Sequence, residues 1–136
     1  MAKKKILVID DAADTRLLVS ARLQKHGYET VFAVDALQAI AVARQTKPAA
    51  IILDLGLPGG NGLLVLQRLK SNTALASIPV IILTADGSPE SKVKGLEAGA
   101  AAFLHKPAQE EALIAAVACA VGDVAECPIT EAQLPS

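Results

Sequence analysis

Five short apolar runs, each followed by a stretch with helical period, constrain this chain more than any other feature. The runs are Ile6–Ile9, Thr30–Ala33, Ala50–Leu53, Val80–Leu83 and Ala102–Leu104. Between them Ala36, Ala39, Ile40 and Ala43 follow the i, i+3, i+4, i+7 rule, and so do Gly62, Val65, Leu66 and Leu69. Val93, Leu96 and Ala100 continue the pattern, then Leu113, Ile114, Val117 and Val121; in the first helix Leu18, Val19 and Leu23 are the apolar contributors. Gly27 stands at a C′ position, Pro48 follows the second helix, Pro79 opens the fourth strand, and Ser88-Pro89 reads as N-cap and N1. Strands alternating with helices predict an α/β fold with a parallel sheet, right-handed crossovers and helices on both faces. Phe32, Phe103 and Tyr28 are the only aromatic residues, so the core must be aliphatic, as buried parallel strands usually are.

Other properties narrow the class. The 136 residues fit one domain, and 52% apolar content is enough for a real core. A net charge of −1 gives no electrostatic footprint for nucleic acid, and Lys3, Lys4 and Lys5 read as a solvated start. No segment approaches the ~20 apolar residues of a membrane span. The basic start leads into only Ile6–Ile9, which is not a secretory h-region, so a cytoplasmic protein is expected. Cys119 and Cys127 lack ligand neighbours and read as a reduced pair. Residues 123–136 are acidic, contain Pro128 and Pro135, and read as a flexible tail or the start of a linker.

In a sheet of this kind, functional groups gather beyond the carboxyl ends of the strands, at the switch in strand order. The first run ends in Asp10-Asp11, the third in Asp54 and the fourth in Thr84-Ala85; His105-Lys106-Pro107 follows the fifth. Three carboxylates, a hydroxyl and an ammonium thus reach one edge from four strands. Two unit charges ~4 Å apart repel by about 4 kcal/mol at an effective dielectric near 20. Either the carboxyl pKa values rise or a cation sits among them. An all-oxygen site suits a hard divalent ion, Mg²⁺ before Ca²⁺, and its lack of His or Cys argues against zinc. Gly56, Gly59, Gly60 and Gly62 are not followed by Lys-Ser/Thr, so a P-loop is excluded.

These residues, with Leu55-Gly56-Leu57-Pro58, Asn61-Gly62 and Gly99-Ala100 through Phe103 to Lys106-Pro107, resemble the receiver domain of two-component response regulators, over residues ~4 to ~122. The resemblance implies a CheY-like, flavodoxin-like (βα)5 fold with strand order 2-1-3-4-5. It implies Asp54 as phosphoacceptor, and Mg²⁺ held by Asp10, Asp11, Asp54 and the backbone carbonyl of Gly56. Lys106, Thr84 and the Ala85 N–H would hold phosphoryl oxygens. Phe103 would be the switch aromatic that turns inward as Thr84 moves, Pro107 would follow a cis bond, and Pro58 and Gly62 would be structural. The implied partners are a sensor histidine kinase or a histidine phosphotransfer protein, then a downstream protein bound at helix 4, strand 5 and helix 5. Direct nucleic-acid binding and membrane insertion are not expected, nor is enzymatic activity beyond self-phosphorylation and autodephosphorylation. The alternatives are a degenerate receiver acting as a scaffold, and an aspartyl-phosphate phosphohydrolase. The second fits less well, because the first-strand acids are adjacent and no cap insertion exists.

Three features go beyond the resemblance. Ala101 and Ala102 stand where many receivers carry acidic residues. Gly56 has no side chain to steer water, so phosphoryl lifetime is expected to depend more on Asp86. Ala112–Val121 contains no charged residue. That helix either joins a homodimer or partner, or is alanine-rich and simply tolerates exposure.

Overall fold

A computed structural model describes residues 3–57, 62–85, 88–106 and 108–122. The expectations for Pro58, Asn61, Asp86, Pro107, Cys127 and the tail 123–136 lie outside the described residues. The elements alternate as β1 (Lys5–Ile9), α1 (Ala13–Lys25), β2 (Glu29–Ala33), α2 (Ala36–Thr46), β3 (Ala50–Leu53), α3 (Gly62–Ser71), β4 (Val80–Thr84), α4 (Pro89–Glu97), β5 (Ala102–His105) and α5 (Glu110–Ala120). The strands form one parallel sheet in the order β2-β1-β3-β4-β5. This is the expected (βα)5 architecture. The chain starts in the middle of the sheet, runs out to β2 and returns to β3, so strand order switches between β1 and β3.

Two cores explain why the runs are continuously apolar. Successive strand residues point to opposite faces, and here both faces are covered. Leu7, Ile9, Ile51, Leu53, Val80, Ile82 and Phe103 join α2 and α3 in one cluster. Their neighbours Ile6, Val8, Ala50, Ile52, Ile81, Leu83, Ala102 and Leu104 join α1 and α5 in the other.

Helix signals are borne out where chemistry fixed them. Ser88 Oγ caps α4 by accepting from the Ser91 N–H at 3.2 Å, with Pro89 at the first position. Gly27 has φ +90°, the left-handed conformation its C′ role requires. At the end of α2 that conformation falls on Lys47, φ +46°, before Pro48.

Periodicity misassigned the face of α4 and one residue of α1, where Val19 and Leu23 are buried as expected. Leu18 is exposed in α1, and Val93 and Leu96 are exposed in α4, whose one buried residue is Gly95. The cause is close approach. A Cβ on Gly95 would lie 2.5 Å from Ile82 Cδ1 and 3.5 Å from the Phe103 ring, so the helix rests on the sheet through its smallest side. Helix α5 is also better packed than its composition suggested. Leu113, Ala116 and Val117 are buried, and no residue from Ala112 to Val121 is exposed. At its N-terminus Glu110 meets Lys25 and His26 of the α1 end, each at 3.3 Å. Those contacts, His26 first, hold its carboxyl below the usual carboxylate range. Cys119 is disulfide-bonded, which corrects the expected reduced thiol; spacing alone does not separate two nearby thiols from a bridge.

Gly62 has the tightest surroundings. A Cβ there would lie 2.6 Å from Leu55 Cα and closer still to the Asp54 carbonyl oxygen, both backbone atoms that cannot swing aside. Its N–H also donates to Leu55 O at 2.8 Å. Gly62→Ala is therefore expected to cost about 3 kcal/mol, the upper range of an overpacked site. Calorimetry should find the melting midpoint lowered by roughly 10 °C. An unchanged midpoint would show that the start of α3 has room to spare.

Candidate functional site

Strand register brings the acids together. Ile9 pairs with Leu53 across β1 and β3, so the next residues, Asp10 and Asp54, emerge side by side at the switch point. The Asp54 N–H donates to Ile9 O at 3.0 Å and the Asp10 N–H to Ala33 O at 3.1 Å, which extends both ladders by one residue. Both residues are almost fully buried, 3% and 8% exposed, whereas Asp11 is open to solvent. One oxygen each from Asp10, Asp11 and Asp54 lie within 4.8 Å of one another. Among the described residues this is the cluster suited to a metal ion.

Each buried carboxylate is held in the same way. Asp10 Oδ1 accepts from the Ala12 N–H at 2.8 Å, and Asp54 Oδ1 accepts from the Gly56 N–H at 2.9 Å. The second oxygens, Asp10 Oδ2 and Asp54 Oδ2, share the Lys106 ammonium at 2.7 and 3.0 Å. Lys106 thus answers the repulsion anticipated from sequence, with a side chain that comes 96 residues after Asp10. Burial lowers the Lys106 pKa, but the hydrogen bonds and charges of Asp10 and Asp54 outweigh it and leave the value raised. For a raised lysine the stabilising contribution is whole below the unfolded pKa of ~10.4 and is lost as pH climbs through the folded value. The clasp is intact at neutral pH.

Thr84 ends β4 and is 2% exposed; Ala85 follows it at the surface. Their turn is tied to β5 by the Lys106 N–H donating to Thr84 O at 2.8 Å. Phe103 is fully buried beneath α4, with Lys92 Nζ 5.9 Å from the ring centroid. Gly56 is exposed, and a Cβ there would meet Asp54 Oδ1 at an ordinary 3.5 Å.

Sequence reasoning missed three supports. Arg16 donates to Asp10 O at 2.7 Å, and Arg22 donates to Ala108 O at 2.9 Å, tying α1 to the loop after Lys106. His105 ends β5 and bonds Ala85 O at 3.0 Å. The arginines look like ordinary surface charges of a helix, and only the fold reveals their targets. Beside them a cavity of about 300 Å³ opens between α1 and α5, lined in part by Leu18, Arg22, Leu83 and Lys106.

The three acids offer hard oxygen ligands, one of them exposed to let an ion in, and they fit a divalent cation of the Mg²⁺ type. A carboxylate beside such an ion and a lysine can act as a nucleophile toward phosphorus.

Comparisons with known proteins point the same way. The sequence profile described as the response regulator receiver domain matches residues 6–118. The phosphate regulon transcriptional regulatory protein PhoB of Pseudomonas aeruginosa is 40% identical over 115 residues, 85% of this chain and 50% of that protein. Protein PilH of the same organism is 36% identical over 110 residues, 81% of this chain and 91% of PilH. The chemotaxis response regulator CheY4 of Vibrio cholerae superposes with a TM-score of 0.80 at 31% identity, covering 88% of this chain and 99% of that one. The chain spans about half the length of several curated relatives it matches, PhoB among them.

Proposed function

Because the chain belongs to the response regulator receiver family of two-component systems, we propose that it is a phosphorylation switch in which Asp54 accepts a phosphoryl group. The donor is a phosphohistidine on a sensor kinase or a histidine phosphotransfer protein. An Asp54 oxygen attacks phosphorus in line, the P–N bond breaks, and the imidazole of the donor leaves with the bonding pair. The observation that carries this reading is the Lys106 ammonium held on Asp54 and Asp10. It stays on the reacting edge as a fixed positive charge for a phosphoryl oxygen. Thr84 Oγ1 and the Ala85 N–H donate to the remaining oxygens. Asp10, Asp11, Asp54 and the Gly56 carbonyl would hold Mg²⁺, which would supply further positive charge to offset that of the phosphoryl oxygens.

The output is a signalling contact rather than turnover of a metabolite. Leu18 of α1, 52% exposed, lines the cavity beside Lys106 and gives a phosphodonor protein an apolar place to dock. The downstream partner or second copy binds the face of α4, β5 and α5, where Val93 and Leu96 are the exposed apolar residues. Since α5 from Ala112 to Val121 is half-buried or buried, with no exposed residue, α4 provides the grip. Phe103 is buried here, so the charge change at Asp54 reaches that face as a shift of α4, which sits on the ring through Gly95. Among the described residues no helix is long and apolar enough to cross a membrane.

Incubation with acetyl phosphate and Mg²⁺, followed by mass spectrometry, should add one phosphoryl group and place it on the peptide containing Asp54. Chelating the ion should stop the reaction. No mass gain would revive a scaffold role, while steady hydrolysis of generic phosphate esters would revive a phosphohydrolase.

A further inference from the structure

We propose that His105 is a positioning residue for the turn that receives the phosphoryl oxygens. The inference rests on the proposed phosphorylation of Asp54. In the β4–β5 register His105 lies opposite Thr84, and the two residues at the end of β5 hold two consecutive carbonyls at the end of β4. The Lys106 N–H donates to Thr84 O at 2.8 Å, and His105 Nε2 reaches Ala85 O at 3.0 Å. A carbonyl oxygen carries no proton, so Nε2 must be the donor, as it is in one neutral tautomer of the ring.

The two bonds do different things. The first fixes the peptide plane between Thr84 and Ala85, and with it the direction of the Ala85 N–H. The second holds the Ala85 carbonyl toward β5 and so limits rotation about the Cα–C bond of Ala85. A carbonyl free to rotate can turn its lone pairs toward an arriving phosphoryl group, where they repel its oxygens. With the carbonyl tied back, Thr84 and Ala85 meet the anion with a hydroxyl and an N–H. This is preorganisation of the kind that strengthens binding of a developing charge without reorganisation at the moment of reaction. His105 touches neither phosphorus nor metal in this scheme and acts through Ala85.

The test uses beryllofluoride as a phosphoryl mimic in the presence of Mg²⁺, with Mg²⁺ alone measured in parallel by titration calorimetry. His105→Leu keeps bulk but loses the donor. It should weaken beryllofluoride binding about fivefold, the usual net effect of one neutral hydrogen bond, and slow labelling by acetyl phosphate similarly. His105→Gln places an amide N–H at about the reach of Nε2 and should restore most of the affinity. Mg²⁺ binding without beryllofluoride should be unchanged in both variants, because the acids are untouched, and the melting midpoint should fall by no more than a few degrees, about what one hydrogen bond contributes. Wild-type affinity in His105→Leu, failure of His105→Gln to restore it, or an equal loss of Mg²⁺ binding would each overturn the proposal. If wild type itself takes no phosphoryl group on Asp54, the phosphorylation reading falls, and this one with it.

Discussion

Asp54→Asn is expected to lose phosphoryl uptake by at least about a thousandfold while keeping its fold, which corresponds to ~4 kcal/mol of barrier. The substitution is nearly isosteric and leaves Oδ1 able to accept from the Gly56 N–H. What disappears is the negative oxygen that attacks phosphorus, and a neutral amide does not replace it. The variant also loses one of three anionic ligands in the acid cluster, so Mg²⁺ affinity should fall by roughly tenfold or more. Stability should hold or rise slightly, because Asp10 then has the Lys106 ammonium to itself. Intact-mass measurement and ion titration check both points. Undiminished labelling would move the acceptor to another carboxylate, Asp11 being the exposed one at hand.

That Asp10 and Asp54 come together was readable from the sequence, and the reason is geometric. A parallel α/β sheet delivers whatever follows each strand to one edge, so Asp10, Asp11, Asp54, Thr84 and Lys106 could be placed together by counting strands. Long-range partnership was not readable. Nothing in the spacing says that Lys106 bonds Asp10 as well as Asp54, because a lysine side chain reaches several neighbours at a crowded edge. The same holds for His105 and Ala85, which meet only because β4 and β5 pair in one particular register. Helix faces were half readable. In α3 the periodic residues Gly62, Val65, Leu66 and Leu69 are all buried. In α4 the hydrophobic period pointed at Val93 and Leu96, and close packing against Ile82 and Phe103 selected Gly95 instead. Periodicity reports where apolar side chains lie around a helix, whereas the distance of the helix from the sheet is set by the smallest residue it can present.

Lys106→Met tests the clasp itself and separates charge from packing. Methionine keeps most of the stem and removes the ammonium. Asp10 and Asp54 would then face each other nearly buried and uncompensated, and breaking one side of a fully buried pair typically costs 3–5 kcal/mol, about. The Lys106 side chain is 20% exposed and Asp11 opens the rim to water, so screening reduces the expected loss to roughly 2 kcal/mol. Its signature is dependence on the ion. Without Mg²⁺ the variant should melt several degrees below wild type, and saturating Mg²⁺ should close most of that gap, because a divalent cation supplies the missing charge and binds only the folded state. Labelling should behave oppositely. Mg²⁺ cannot take over the second phosphoryl oxygen that Lys106 would hold, so uptake from acetyl phosphate should stay down by about a hundredfold or more even when the ion is saturating. A variant that melts like wild type without Mg²⁺ and labels at the wild-type rate with it would mean that the ammonium neither balances the two carboxylates nor takes part in the transfer.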